Sequence, residues 1–335
     1  MAAPLEWDTR ELLGASFACL EGCGFCCTFP PEVAHDELAR LRTRFPRLPV
    51  ARQDGGGLRL ALQGGCGGCT LLARRRCTAY EERPRHCRYF PFHLYFGRRT
   101  EVYVNRTCRG VEAGQAAGDL SGAFAAQVLG VARPHEWQEA ERQARRVHAR
   151  FRQEAEAAGA WGDVDAATRR ILADPGAAQA SWSQPAAAAD AWAPFAEEEV
   201  LARPFHLTAD LRWLTFAADG DQLQVLEMQE TGELAPGARL ALAPNQAGDD
   251  ALVLPELRRL AGRDLWAGTV FDVVDAAGYA VGVEAAAAVR VAAQGADLRL
   301  RLRVLRALGL PVDAAELARF ADSAALDTPT IGGWL

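Results

Sequence analysis

The residues with the clearest chemical potential are nine cysteines, all within the first 108 residues of a 335-residue chain. Four of them occupy the stretch CLEGCGFCC, residues 19–27, which ends on an adjacent pair. The full set is Cys19, Cys23, Cys26, Cys27, Cys66, Cys69, Cys77, Cys87 and Cys108. Clustered cysteines in a cytosolic protein more often bind metal than form disulfides, and secreted disulfide proteins are usually shorter. The clustering therefore predicts a thiolate metal centre.

The short spacings between these cysteines have a geometric meaning. A gap of two or three residues lets a tight turn bring two sulfurs to within about 4 Å of each other around one ion. The side chains of Cys26 and Cys27 tend to diverge, so either they serve two metals or one is a spare thiol. The set can supply two Cys₄ zinc sites, one 4Fe–4S cluster with residual thiols, or a mixture. Buried free cysteines and disulfides are the alternatives without metal.

The beginning of the same stretch also matches the spacing Cys-x3-Cys-x-aromatic-Cys, with Phe25 as the aromatic residue. Radical-SAM enzymes use this spacing to hold a 4Fe–4S cluster. Such an enzyme needs roughly 200 residues of alternating strands and helices after the motif to build its partial barrel. Here the chain as far as Cys108 is rich in turns and carries five more cysteines. The radical-SAM interpretation is therefore disfavoured.

Several motifs together resemble the YkgJ-type cysteine-cluster family, also called the CxxCxxCC zinc- or iron-chelating domain. The resemblance rests on CLEGCGFCC (19–27), CTLL (69–72), CTAYEERPRHCRYFP (77–91) and Cys108, and it covers about residues 15–110. It implies that the metal ligands are Cys19, Cys23, Cys26, Cys27, Cys69, Cys77, Cys87 and Cys108. Cys66 is additional to this pattern.

The resemblance leaves three functions open. The first is a protein whose cysteines hold an iron–sulfur cluster, expected to be 4Fe–4S, with a redox, sensing or SAM-related role. The second is a structural zinc module that binds a partner. The third follows from a similar cysteine pattern in the flagellin lysine N-methylase family, regarded as SAM-dependent methyltransferases with an iron–sulfur cluster. The cofactors to expect are thus an iron–sulfur cluster or zinc, with SAM as an addition. Whether the chain is an enzyme stays open.

Charge is distributed unevenly along the chain. Residues 1–110 hold 17 arginines against 11 acids, whereas the remainder holds 20 against 32, and the chain has no lysine. The local positive charge suits a thiolate cluster, which is net negative. Nucleic acid is an improbable partner because the chain is acidic and lacks a known nucleic-acid motif. The N-terminal residues do not resemble a signal peptide and no long apolar run is present, so we expect a cytoplasmic protein without a membrane partner.

The elements around the cysteines predict an α+β fold. An irregular, metal-stapled domain (1–115) is followed by a helical segment (116–173), an Ala/Pro-rich linker (174–200) and an α+β domain of unknown role (201–335). The pattern predicts helices over 32–48, 118–131, 134–158, 252–278, 296–309 and 312–325, a strand over 100–108 and a hairpin over 206–228. We found no catalytic signature in residues 111–335.

Four residues near the cysteines are candidates for a role beside a metal cluster. Arg83 and Pro84 form either a fixed turn with a cation for the thiolates or a plain surface turn. His86 and His93 could ligate metal, but with nine thiols available a non-ligand role is favoured. The neighbouring aromatics are expected to form a small core that shields the metal. They are Tyr80, Tyr89, Phe90, Phe92, Tyr95 and Phe96.

Overall fold

The computed structural model describes residues 7–13, 16–28, 31–52, 57–65, 67–111, 118–174, 206–219, 222–323 and 330–334. Helices and strands are mixed along these ranges, which confirms the α+β expectation. The predicted linker lies outside the described residues from 175 onwards, as does Cys66. Two of the predicted domain boundaries, 115 and 200, also fall in stretches outside them, so the domain division stays a prediction.

The helices and strands have the following bounds. The α-helices are α1 (His35–Arg44), α2 (Arg85–Tyr89), α3 (Leu120–Gln127), α4 (Pro134–Ala157), α5 (Val164–Ala173), α6 (Asp250–Ala261), α7 (Asp264–Ala276), α8 (Val283–Ala307) and α9 (Ala314–Asp322). The strands are β1 (Trp7–Asp8), β2 (Ser16–Phe17), β3 (Val50–Arg52), β4 (Leu58–Leu60), β5 (Leu72–Ala73), β6 (Arg76–Cys77), β7 (Phe92–Phe96), β8 (Thr100–Val104), β9 (Gly118–Asp119), β10 (His206–Leu207), β11 (Trp213–Asp219), β12 (Gln222–Met228), β13 (Leu234–Ala241) and β14 (Gly333–Trp334). None of the helices within the described ranges is long and apolar enough to cross a membrane.

One sheet joins distant parts of the sequence. Strands β7 and β8 form an antiparallel hairpin, β1 adds to β8 in parallel, and β14 pairs with β7 on the other side. All residues of β8 are buried. Tyr95 in β7 donates a hydrogen bond from its hydroxyl to the Ile331 carbonyl at 3.1 Å, so side chains reinforce the backbone pairing with β14. The cysteine-rich region is therefore completed by residues near position 333.

A second sheet contains the predicted hairpin. Strands β11 and β12 pair antiparallel from Leu214 opposite Glu227 to Asp219 opposite Gln222, which confirms the hairpin, although its first arm begins at Trp213 and not at residue 206. The sequence did not indicate β13, because Pro236 and Gly237 disfavour a strand. The structure accommodates them on an edge strand, with a register shift opposite Gln224 and Leu226.

Each predicted helical range contains helical residues in the structure, but several predicted helix boundaries are wrong. The helix expected over 134–158 is α4. The single helix expected over 252–278 is wrong, because Gly262 and Arg263 separate α6 from α7. Helix α8 begins at Val283, well before the predicted residue 296. The motif CTAYEERPRHCRYFP (77–91) contains a further helix, α2, for which we made no prediction. It begins directly after Pro84, a residue suited to a helix start.

The second sheet packs against the cysteine-rich region. Trp213 at the start of β11 is 1% exposed, and its ring meets that of Phe25 edge-on at 6.4 Å between centroids. Arg75 donates a side-chain hydrogen bond to the Leu211 carbonyl at 2.5 Å. Three of the cysteines therefore share a buried core with residues of this sheet. They are Cys23, Cys27 and Cys69, packed with Leu207, Trp213 and Met228.

A buried ionic network fixes the chain just before Cys108. The carboxylate of Asp322, which has no exposed surface, accepts hydrogen bonds from the backbone N–H of Arg106 at 3.0 Å, from Arg259 at 2.7 Å and from Arg263 at 3.1 Å. Arg263 also donates to Glu11 at 2.5 Å. A buried carboxylate is tolerated here because its lone pairs face cationic or N–H donors.

Replacing Asp322 with asparagine leaves two arginines without their shared negative charge. We expect the free energy of unfolding to fall by about 3–5 kcal/mol, as for other buried ion pairs that lose one partner. Urea unfolding at neutral pH measures the change. Asp36→Asn is the matched control, because Asp36 pairs with Arg133 at the surface with 62% of its side chain exposed, and it should cost far less. Equal losses in both variants would contradict the role of the buried network.

The same carboxylate should make stability depend on pH. Burial alone would raise the pKa of Asp322, but the charges of Arg259 and Arg263 hold it well below its usual range. Such a group stabilises the folded state fully above its unfolded pKa of about 3.9, and that contribution is lost as the pH falls below it. We expect the difference in unfolding free energy between wild type and Asp322→Asn to shrink from about pH 5 to about pH 3. A difference that stays constant over this range would argue against this assignment.

Candidate metal centre

The cysteines assigned to the metal from sequence meet at one cavity. Its volume is about 80 Å³, measured as the space open to the centres of water-sized spheres. The thiols on its wall belong to Cys19, Cys23, Cys26, Cys27, Cys69, Cys77, Cys87 and Cys108. Phe25 and Phe90 are among the apolar residues that complete the wall. The structure therefore brings together every predicted ligand, although this proximity does not by itself establish ligation.

Two glycines fold the first cysteine segment tightly. Gly22 and Gly24 have φ values of 72° and 59°, in the left-handed region that glycine adopts most readily. A Cβ atom at Gly24 would lie 2.8 Å from the Arg75 carbonyl oxygen, so this position also requires the absence of a side chain. A short 3-10 helix, Phe25–Thr28, follows and carries the adjacent cysteine pair. The stretch thus turns its thiols back towards the same space.

The remaining cysteines arrive on separate elements. The Cys69 N–H donates to the Cys27 carbonyl at 2.7 Å, which places the CTLL segment beside the first one. Cys77 ends β6 opposite Leu72, and Cys87 lies in α2. Cys108 lies in the turn after β8, where its N–H donates to the Asn105 carbonyl at 3.2 Å. The cavity is therefore held by backbone hydrogen bonds as well as by side-chain packing.

Three thiols form a hydrogen-bonded group inside the cavity. The Cys27 thiol bonds to the sulfurs of both Cys26 and Cys77. These bonds lower the pKa of Cys26, lower that of Cys77 to about 7, and raise the pKa of Cys27 well above its ordinary value. These bonds thus make Cys26 and Cys77 easier to ionise while Cys27 keeps its proton, and a metal must displace that proton to use all three thiols.

Burial acts in the opposite direction on the other thiols. It raises the pKa of Cys23 and of Cys69 to about 11, and it raises the pKa of Cys87 and Cys108 far above the ordinary value. A thiolate in a dry cavity is unfavourable without a nearby positive charge. Full ligation by these cysteines therefore depends on a cation inside the cavity.

Arg83 supplies one positive charge at the wall. Its side chain lies on the cavity and stacks over the ring of Tyr80 at 3.8 Å. Its charge contributes to the lowered pKa of Cys26 and Cys77, and at Cys19 it opposes burial, which raises the pKa of that thiol. Of the two roles weighed from sequence, the position favours a charge partner over a plain surface turn. Tyr80 is 46% exposed, so the cavity reaches the surface beside it.

The other predicted neighbours lie further away. The cavity wall, over the described residues, includes neither His86 nor His93; His86 lies 3.9 Å from Glu32, and burial lowers the pKa of His93 to about 3. Their expected non-ligand role stays a prediction. The buried aromatics of the predicted shell pack in neighbouring clusters and do not touch the cavity. They are Tyr89, Phe92, Tyr95 and Phe96.

The thiols surround a space and do not converge on a point. Among the residues that the structure describes, no three histidine, cysteine or acidic side chains are grouped closely enough to hold a metal ion. The expectation of a metal-stapled domain is therefore not confirmed by this geometry. The donor set nevertheless suits a metal, because eight cysteines line one largely apolar cavity.

The match to known sequences is confined to this region. Residues 18–109 match the family described as CxxCxxCC: Putative zinc- or iron-chelating domain. By this match the stretch is similar to a CxxCxxCC domain. The match confirms the cysteine-cluster family inferred from the motifs, and it includes all eight cysteines on the cavity. No curated protein and no solved structure matches the chain.

Residues outside the CxxCxxCC domain also shape its cavity, and the sequence did not indicate them. Gln127 of α3 lies on the cavity wall. The ring of Trp213 packs against the ring of Phe25, which is itself a wall residue. Trp213 is buried, but the alternating strand pattern around it does not indicate which surface it covers. Motif spacing identified the cysteines that line the cavity, but it did not identify the distant residues that support the cavity wall.

Cys27 gives a direct test of the thiol group in metal-free protein. Replacing it with alanine removes the hydrogen bond that lowers the pKa of Cys77, so that pKa should rise from about 7 towards its ordinary value. The thiolate fraction of Cys77 falls about tenfold for each unit by which its pKa then exceeds the pH. Iodoacetamide labelling of Cys77, followed by mass spectrometry at several pH values, measures the shift.

The control variant for this test is Cys108→Ala. The thiol neighbours of Cys108 are Cys19, Cys23 and Cys26, so its removal should leave the pH profile of Cys77 in place. If Cys27→Ala also leaves the profile unchanged, the hydrogen-bonded group described above is wrong.

Proposed function

We propose that the CxxCxxCC domain holds an iron–sulfur cluster, of the 4Fe–4S type, and that the chain acts in redox chemistry or sensing. The family match supports zinc or iron chelation in general. The observation that favours a cluster is the cavity itself, which is lined by eight cysteines and leaves open space between them. A single metal ion with four cysteine ligands does not require open space between the sulfurs.

The size of the cavity supports a cluster over a single zinc ion. In a tetrahedral zinc site the Zn–S distance is about 2.3 Å, which brings the four sulfurs into mutual contact around the ion. The cavity here has about 80 Å³, whereas a single water needs about 10–15 Å³ on the same measure. Several atoms therefore fit between the thiols, as a polynuclear cluster requires.

The surrounding residues have roles that suit a cluster. Phe25 and Phe90 make part of the cavity wall apolar, and an apolar shell tunes the potential of a bound cluster. Arg83 offsets part of the negative charge of the thiolates. When bound, a cluster of this kind supplies one-electron redox chemistry.

Access to the surface supports a redox or sensing role. Cys19 is exposed, and the half-exposed Tyr80 adjoins it with a side-chain hydrogen bond. Electrons or small oxidants can reach a group in the cavity at this opening. A SAM-dependent reaction, as in the similar methylase family, stays a prediction; calorimetry with SAM on the loaded protein tests it, and no heat would argue against it.

Metal analysis of anaerobically purified protein tests the proposal. We expect a brown protein with a broad visible absorption band and with iron and acid-labile sulfide in equal amounts. A colourless protein with stoichiometric zinc would overturn the cluster and leave metal binding intact. A protein that takes up neither metal after anaerobic reconstitution would overturn both.

A pair of variants tests the ligand assignment. Cys23→Ala should lose metal and melt at a lower temperature than the loaded wild type, because metal that binds only the folded state stabilises it. Cys66→Ala is the control, since Cys66 falls outside the family pattern and should keep both metal content and melting temperature. The reverse result for the two variants would refute the assignment of Cys23.

A further inference from the structure

A second cavity lies between helices α6 and α9, beside the turn that follows β8. Its volume is about 280 Å³, again measured as the space open to the centres of water-sized spheres. A single water needs about 10–15 Å³ on this measure, so the second cavity has room for a small organic molecule. In the described part of the chain, its wall shares no residue with the wall of the cysteine cavity.

Positive charge predominates on the wall of the second cavity. Over the described residues, the wall contains three arginines, Arg106, Arg259 and Arg319, and one acid, Glu256. Arg259 donates to both carboxylate oxygens of Glu256, at 2.8 Å and 2.5 Å, so this acid is already neutralised. The planar guanidinium group binds carboxylates and phosphates with two parallel hydrogen bonds. The wall is therefore suited to an oxyanion.

Carboxylates behind the wall reduce this charge without removing it. Two of them pair with wall arginines, and each also pairs with an arginine that does not line the cavity. These further pairs are Asp322 with Arg263 and Glu316 with Arg109. Glu11 in turn pairs with Arg263. Counted together with the wall residues, five arginines face four carboxylates, so the group keeps a net positive charge.

Arg259 also has a buried donor that no described residue satisfies. Its Nε and Nη2 atoms donate to Glu256, and Nη2 donates to Asp322 at 2.7 Å as well. Its Nη1 atom is buried and has no hydrogen-bond acceptor among the described residues. A buried donor without an acceptor is unfavourable, and an oxyanion in the cavity supplies the acceptor.

The rest of the wall is apolar. Helix α9 contributes small side chains, and Ala314 and Ala315 are exposed, so the second cavity opens to the surface beside them. An occupant that fills this space must bury an apolar part as well as an anionic group. The apolar wall residues are Val111, Leu252, Pro255, Ala314, Ala315 and Ala318.

We propose that the second cavity binds a small organic anion, with one carboxylate or phosphate group on a short apolar body. The three arginines hold the anionic group, and the apolar residues of α6 and α9 hold the body. This binding does not depend on the metal in the cysteine cavity, so it is testable whichever metal the protein holds.

Calorimetry on the full chain tests the proposal with hexanoate, hexyl phosphate, hexan-1-ol and inorganic phosphate as probes. We expect at least one of the two organic anions to bind about tenfold or more tightly than both hexan-1-ol and inorganic phosphate, because only the organic anions engage both parts of the wall. The tighter of the two shows whether a carboxylate or a phosphate is preferred. If neither organic anion binds, or if hexan-1-ol or inorganic phosphate binds as tightly, the proposal is wrong.

A charge variant locates the bound anion. Arg319→Gln removes one positive charge from the wall, and affinity for the better organic anion should fall about tenfold or more. The fold should tolerate this change, because Glu316 keeps its bonds to Arg109 and to His206. The matched control is Arg42→Gln, which removes the same charge from an exposed position of α1 and should leave the affinity unchanged.

A second variant tests the space and leaves every charge in place. Ala315→Leu puts a larger side chain at the opening of the second cavity, on an exposed helical position that accepts leucine well, and it should also weaken binding. If both wall variants bind the anion like wild type, or if Arg42→Gln weakens binding as much as they do, the anion binds elsewhere and the assignment to this cavity is refuted.

Discussion

Burying eight thiols around a cavity of low polarity is the constraint on which this structure depends. Burial opposes ionisation, as the raised pKa values of Cys23 and Cys69 show, while metal ligation demands ionised sulfur. Local charge relieves the conflict only in part, through Arg83 and the hydrogen bonds of Cys27. The cavity is thus arranged so that a cation in its interior satisfies groups that the protein alone leaves in an unfavourable environment.

The rest of the chain keeps that environment dry and fixed. The sheet that contains Trp213 covers the segment around Phe25, and Arg75 joins it to the Leu211 carbonyl. The carboxylate of Asp322 holds the backbone at Arg106, close to Cys108. Residues beyond position 110 therefore support the geometry of the cysteines, even though the family match ends at residue 109.

Sequence alone predicted the components of the site better than their surroundings. The eight cysteines were assigned from spacing and family resemblance, and the structure places all of them on one cavity. The long amphipathic helix α4 and the β11–β12 hairpin were also predicted, because both depend on local periodicity. Contacts between segments that are distant in sequence leave no such local periodicity, so they were not predicted.

The failures have specific causes. Strand β13 was missed because Pro236 and Gly237 weaken its pattern, and its place at a sheet edge depends on tertiary pairing. The break at Gly262 was missed because apolar residues continue on both sides of it. The support of Phe25 by Trp213 is a contact between segments remote in sequence, so no window of residues reveals it.

The pairing of β14 with β7 has a consequence for how the protein is made. Tyr95 and Ile331, which bond to each other, are 236 residues apart. During synthesis the cysteine segments leave the ribosome early. Strand β14, which pairs with β7, and the Asp322 carboxylate are synthesised much later. The nascent chain therefore exposes its thiols before the segments that help to bury them have been synthesised.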